Sequence, residues 1–135
     1  MNFGGIEAKY EALENARFVV VPVPYDLTTT YQGGARRGPA AILEASCHME
    51  LYDEEIETET YRAGIHTMEP LEAVASGPAG KLERIEEAIG GVLERGKVPV
   101  MLGGEHSITL GAIRAARKRC PRLTVLHLDA HADMR

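Results

Sequence analysis

Short apolar runs alternate with amphipathic stretches along this chain, and the alternation predicts its elements. Arg17–Val23 is a β-branched run with no polar interruption, the pattern of a strand buried on both faces. Val98–Leu102 and Leu123–Asp129 repeat it and predict two more strands, and Tyr61–Thr67 predicts a brief one. Between them, Pro39 suits a first helical position ahead of Ala40, Ala41, Ile42, Leu43, Ala45 and Met49. Ala79–Arg95 is the clearest helix: Leu82, Ile85, Ile89, Val92 and Leu93 recur at helical spacing opposite acidic positions, and Gly96 ends it. A third helix is expected over Ile108–Lys118, with Arg114, Arg117, Lys118 and Arg119 as a charged last turn that complements the helix dipole. Asp53–Thr60, rich in Glu, is read as a solvated edge, and Met1–Arg17 as mixed and polar. Strands alternating with helices predict an α/β fold of three layers, α/β/α, around a mostly parallel sheet.

Composition changes this picture little. The 135 residues suffice for one domain with a real core, and 44% hydrophobic with 26% charged residues is ordinary for a globular protein. A net charge of −5 argues against nucleic acid or an anionic membrane as partner. The apolar runs are far short of a bilayer span, and no basic-then-apolar leader opens the chain, so a cytoplasmic location is expected. Cys47 and Cys120 lack CxxC spacing and are expected to be reduced thiols rather than a disulfide or zinc ribbon.

Candidate chemistry sits where two apolar runs end. Gly103-Gly104-Glu105-His106-Ser107 follows one, and Asp129-Ala130-His131-Ala132-Asp133 closes the other. Both would lie at the carboxyl edge of a parallel sheet, where open α/β folds bind ligands. Held in one straight strand, His127, Asp129, His131 and Asp133 would span roughly 20 Å and could not meet at one ion. The strand must therefore end near Asp129 and the chain curl back, which leaves His127 deeper in the sheet as a core histidine or a support behind the ligands. Imidazoles and carboxylates without thiolate favour Mn²⁺, Fe²⁺ or Zn²⁺ over Ca²⁺ or Cu⁺. Two carboxylates flanking one His suit a pair of ions about 3.5–4 Å apart. A phosphate cradle at Gly103-Gly104 is disfavoured by Glu105 and by the lack of a GK[ST] or GxGxxG sequence. The long glycine-containing segment Pro24–Gly38 is read as a functional loop.

The two motifs, with Val21-Pro-Val-Pro-Tyr-Asp26 and Gly33-Gly34-Ala35-Arg36-Arg37-Gly38-Pro39, resemble the ureohydrolases, the arginase and agmatinase family, and within it the agmatinase-like branch. The resemblance implies an arginase/deacetylase-like fold and hydrolysis of a small cationic guanidino substrate, agmatine to putrescine and urea, as in polyamine biosynthesis. It implies two Mn²⁺ per complete site and attack by a metal-bridging hydroxide. His106, Asp129 and Asp133 would bind one ion and His131 the other, with Asp129 shared. Asp133 would also aim the nucleophile, and Glu105 would support the ligands from behind. A homo-oligomer, trimer or hexamer, is implied as well. Family members are longer and draw further Asp ligands from a second half. On that basis residues 1–135 are expected to be the N-terminal portion of a single truncated ureohydrolase domain, inactive alone. The alternatives are another amidinohydrolase (guanidinobutyrase or arginase) or a truncated, non-catalytic protein that binds metal or oligomerises.

Overall fold

The computed structural model of the chain describes residues 1–72 and 77–133. Its centre is a parallel sheet of β1 (Phe18–Val23), β2 (Ile65–Thr67) and β3 (Val98–Gly103), in the order β2-β1-β3. β1 lies in the middle, with Phe18 opposite both Ile65 and Val98 and with Val23 opposite Gly103. The chain places β2 on one side of β1 and then crosses to place β3 on the other. The direction of winding therefore reverses between β1 and β3, and the crevice beyond their carboxyl ends is where such sheets take ligands.

Two prolines are accommodated because their missing N–H groups fall where no ladder bond is required. Met68 and Leu71 donate to the carbonyls of Val20 and Pro22, so these residues face the β2 side, and β2 has ended at Thr67 before Pro22 is reached. Val98 donates to Arg17, which turns Val98 towards β1 and Pro99 to the open edge of β3. A proline there blunts an edge that would otherwise invite pairing.

Four helices complete the architecture: α1 (Ala8–Glu11), α2 (Gly38–Ser46), α3 (Gly77–Glu94) and α4 (Thr109–Arg119). Val19, Val21 and Val23 point to one face of β1 and pack with Ile85, Ile89 and Val92 of α3. Burial of each such side chain is worth about 1.5–3 kcal/mol, so this seam is the main source of stability. Val20 and Pro22, on the opposite face, are buried too, and α2 packs against β1 and β3. Both faces of the central strand are thus covered, as the unbroken apolar run predicted. α4 packs along α3, and Lys118 Nζ reaches Glu86 Oε1 at 2.5 Å across that contact.

Three strands and three helices lie where the hydrophobic pattern placed them, except that β2 is shorter and α2 ends at Ser46, which leaves Met49 outside it and exposed. Tyr61–Ala63, expected to open that strand, lies in a 3₁₀ turn (Thr60–Ala63) instead. Leu123–Asp129 is a correction. It forms no strand, and Leu126 and Leu128 are exposed. A run of this composition becomes a strand only by exchanging ladder bonds with a neighbour, and among the described residues β3 pairs with β1 alone. The opening segment holds two short elements that periodicity did not predict, a 3₁₀ turn over Phe3–Gly5 and α1. Both cysteines are free. No helix among the described residues is long and apolar enough to cross a membrane.

Candidate metal centre

The site is assembled at the crevice between the ends of β1 and β3. As β3 ends, Gly104 passes so close to the end of β1 that a Cβ on it would fall on the Tyr25 carbonyl oxygen and 2.8 Å from that of Val23. The next residue, Glu105, donates its N–H to the Tyr25 carbonyl at 2.8 Å, which pins the two strand ends together. His106 then opens a 3₁₀ turn (His106–Ile108) whose Ile108 is buried in the core. The imidazole is therefore carried on a rigid corner. Its Nδ1 lies 3.3 Å from Thr109 Oγ1, which leaves Nε2 directed outward.

From the other side, the segment after α4 hooks back at Asp129. Asp129 Oδ1 accepts the His131 N–H at 2.8 Å, a local turn that Asp side chains favour. Asp133 adopts a left-handed backbone (φ 48°), one of the conformations Asp tolerates, and the hook is completed there. The result is that Asp133 Oδ2 sits 2.8 Å from His106 Nε2. His127 Nε2 lies 3.5 Å from Asp129 Oδ2 and 3.9 Å from Asp133 Oδ2, and its ring stacks on that of His106 with centroids 5.3 Å apart. One donor atom from each of His106, His127, Asp129 and Asp133 falls within 4.8 Å of the others.

Of the four side chains singled out from the sequence, His106, Asp129 and Asp133 are thus brought together. His131 is not in that group. Its side chain is 84% exposed, with Nδ1 3.3 Å from Asp129 Oδ1. The two oxygens of Asp129 therefore face different histidines, His131 on one side and His127 on the other. Of the two places expected for His127, in the core or behind the ligands, the core is not met: it is exposed and joins the cluster, because the segment carrying it is not tied into the sheet. The His131 amide, followed by the His131 and His127 rings, holds the Asp129 carboxyl below the usual carboxylate range. An ionised carboxylate between imidazoles is the form a cation requires. Two imidazole nitrogens and two carboxylate oxygens at this spacing fit a first-row divalent ion.

Two further groups shape the crevice. Glu105, expected to stand behind the metal ligands, points to the loop after β1: its Oε1 accepts the Thr28 N–H at 3.0 Å and the Thr28 hydroxyl at 2.5 Å. Asp26 is buried and secures the far end of the same loop, its Oδ2 accepting the Gly34 N–H at 2.6 Å while Arg36 Nε stands 3.4 Å from Oδ1. Gly34 has φ 132°, a backbone open essentially to glycine, which lets its amide turn inward. That amide, followed by the Arg36 amide and guanidinium, keeps the Asp26 carboxyl below its ordinary value. Sequence reasoning quoted Asp26 only as part of a motif. Its signal was an acidic residue opening a glycine-rich loop directly after a buried strand.

Comparison with known proteins agrees with this architecture. Among solved structures, a putative agmatinase from Clostridium difficile superposes with a TM-score of 0.84 at 28% identity, over 91% of this chain and 45% of that one. An N(1)-aminopropylagmatine ureohydrolase of Thermus thermophilus is 45% identical over 98% of this chain and 44% of its own length. The agmatinase of Bacillus subtilis is 33% identical over 90% of this chain and 42% of its own. The chain thus spans somewhat less than half the length of the relatives it matches. The family model described as "Arginase family" matches residues 16–135, nearly the whole chain, and the protein belongs to that family.

Proposed function

We propose that this segment supplies the first half of a Mn²⁺-dependent active site that hydrolyses a guanidino compound, agmatine in the simplest case, to an amine and urea. The observation that supports the reading best is the convergence of His106 with Asp129 and Asp133, delivered by two separate segments to one crevice. His106, Asp129 and Asp133 would hold one ion and His131 the other. Asp129 would serve both, a role its oxygens facing different histidines would suit. His127, whose Nε2 falls in the same cluster, would be an additional nitrogen donor. When bound, the ions polarise the reacting groups and lower the pKa of water at neutral pH.

The residues of this chain position and move protons. Asp133 accepts a hydrogen bond from the attacking water and aims it at the guanidinium carbon. Water adds, the bond from that carbon to the alkyl-substituted nitrogen breaks, and the departing amine takes up a proton to leave beside urea. The four cluster side chains are exposed, and a small cationic substrate reaches them without passing through the core. A cytoplasmic homo-oligomer is proposed on family grounds.

Identity favours a second form of the substrate. Relatives named N(1)-aminopropylagmatine ureohydrolase range from 36% to 45% identity, against 31–33% for the Bacillus agmatinases. An agmatine extended by an aminopropyl group is therefore the main competitor to agmatine itself. The test is a chimera in which residues 1–135 replace the matching part of the Thermus thermophilus relative, assayed for urea release against agmatine, aminopropylagmatine, arginine and 4-guanidinobutyrate. Mn²⁺-dependent release from either of the first two supports the proposal, and their ratio chooses between them. A folded, Mn²⁺-loaded chimera that releases no urea from any of the four contradicts it. The 135-residue chain alone is expected to bind Mn²⁺ and release no urea.

A further inference from the structure

We infer that Glu105 is a positioning residue for the loop that follows β1, and that it acts on the wall of the site rather than on the bound ions. Glu105 sits between two structures that must keep a fixed relation, the His106 corner and the loop from Pro24 to Gly38. Three of its hydrogen bonds run the same way. Its N–H goes to the Tyr25 carbonyl, and Oε1 receives both the N–H and the hydroxyl of Thr28. One carboxylate oxygen thus closes a small ring through Tyr25, Thr28 and its own backbone. Hydrogen bonds to an ionised acceptor are about twice as strong as neutral ones, so a carboxylate is the effective choice for this clamp.

The loop is also held at its far end, by Asp26 with Gly34 and Arg36, and locally by the Thr29 hydroxyl, which donates to the Asp26 carbonyl at 3.1 Å. Between the two carboxylates, Leu27 and Tyr31 are exposed, at 62% and 92%. Nothing in the core anchors this span, so its approach to the crevice is set by the two acidic posts. The Thr28 hydroxyl also lies 3.5 Å from Ser107 Oγ, on the residue after His106, so the clamped loop borders the corner that carries the imidazole. A substrate that approaches the exposed cluster from this side meets the loop. In the hydrolase reading, on which the catalytic consequence rests, loosening the clamp lowers apparent substrate affinity and leaves metal affinity intact.

The test uses the 135-residue chain and does not depend on activity. Amide hydrogen exchange is followed for residues 27–33, with the β1 amides as internal reference, and Mn²⁺ binding is measured by calorimetry. The variants are Glu105→Ala, Glu105→Gln, Thr28→Val, Thr28→Ser and the Glu105→Ala/Thr28→Val double. Glu105→Ala should speed exchange in the loop at least tenfold and leave β1 exchange and Mn²⁺ affinity within twofold. Glu105→Gln, which keeps an acceptor but no charge, should fall between it and the parent. Thr28→Ser should restore what Thr28→Val loses, and the double variant should be no worse than Glu105→Ala, because both changes cut one link. A Glu105→Ala chain with unchanged loop exchange overturns the inference, as does a loss of Mn²⁺ affinity of tenfold or more in Glu105→Gln. Failure of the chimera to release urea, with these exchange results intact, would remove the hydrolase reading and leave the clamp standing.

Discussion

Replacing Gly104 by alanine is the sharpest test of how the site is held, because the contacts it would make are with backbone. The added Cβ would overlap the Tyr25 carbonyl oxygen and stand 2.8 Å from the Val23 carbonyl oxygen and 2.9 Å from the Tyr25 nitrogen. None of these can rotate away as a side chain would, so the ends of β1 and β3 must separate. Forcing one extra methyl into such a place costs about 1–3 kcal/mol. Separation also stretches the Glu105 N–H to Tyr25 bond, worth about 0.5–1.5 kcal/mol. Together they predict a loss of about 2–4 kcal/mol, a large share of the 5–15 kcal/mol that typical domains possess. With a urea m-value of about 2 kcal/mol/M, the unfolding midpoint should fall by about 1–2 M. Gly90 is the control: it lies within α3 with open space around its Cβ position, and Gly90→Ala should raise stability by up to about 1 kcal/mol. An unchanged midpoint in Gly104→Ala would refute the claim that the two strand ends are in enforced contact.

The remaining predictions concern ions and protons. Asp129→Ala should weaken Mn²⁺ binding more than His106→Ala, because on the proposed reading Asp129 would serve both ions; equal and negligible losses in calorimetry would contradict the shared carboxylate. His127→Ala should also weaken binding if its Nε2 joins the first ion, and His127→Phe, which keeps the stacking on His106, should not restore it. The Asp26 carboxyl is held below its ordinary value, mainly by the Gly34 amide, so its contribution to stability is complete above the unfolded pKa of about 3.9 and is lost as pH falls through the lower folded value. Asp26→Asn should therefore be less stable than the parent at pH 6 and converge with it below pH 4; parallel curves would sink this assignment. Lys81 is 1% exposed and its Nζ serves the Leu71 and Glu72 carbonyls, and burial lowers its pKa. The unfolded chain then binds the extra proton between the folded and unfolded values. Parental stability should therefore rise with pH in that window, up to about pH 10, relative to Lys81→Met, and a flat difference between the two would contradict it.

How much was legible in the sequence depended on whether the signal was local. β1 and α3 carry their burial in their own pattern, and their end residues follow from that; β3 forms where its apolar run predicts a strand, but Val98 and Val100 stay exposed instead of being buried on both faces. The structure brings His106, Asp129 and Asp133 of the two motifs together at one crevice, His106 by way of the carboxyl end of β3 and the two carboxylates by way of the hook at Asp129. The elements missed depend on distant partners. The 3₁₀ turn at Phe3–Gly5 is held by the Thr67 hydroxyl on the Phe3 N–H and the Ser46 hydroxyl on the Gly4 N–H, bonds no local pattern announces. Leu123–Asp129 failed in the opposite sense: its pattern suits a strand, yet a ladder needs a second strand on the open edge of β3. The same fact freed His127 to stack on His106 instead of entering the sheet. Lys81 could have been found from spacing, since it lies one turn before Ile85 on the buried stripe of α3. Glu105 could not, because its partner Thr28 lies 77 positions away and neither residue type names the other.

Anomalous diffraction from a crystal of this chain soaked with Mn²⁺ tests the central claim most directly. The account predicts a peak within about 2.0–2.2 Å of His106 Nε2 and of carboxylate oxygens of both Asp129 and Asp133. A peak bound by the Asp129–Asp133 hook with His106 turned away, or no peak at that crevice at saturating metal, would contradict it.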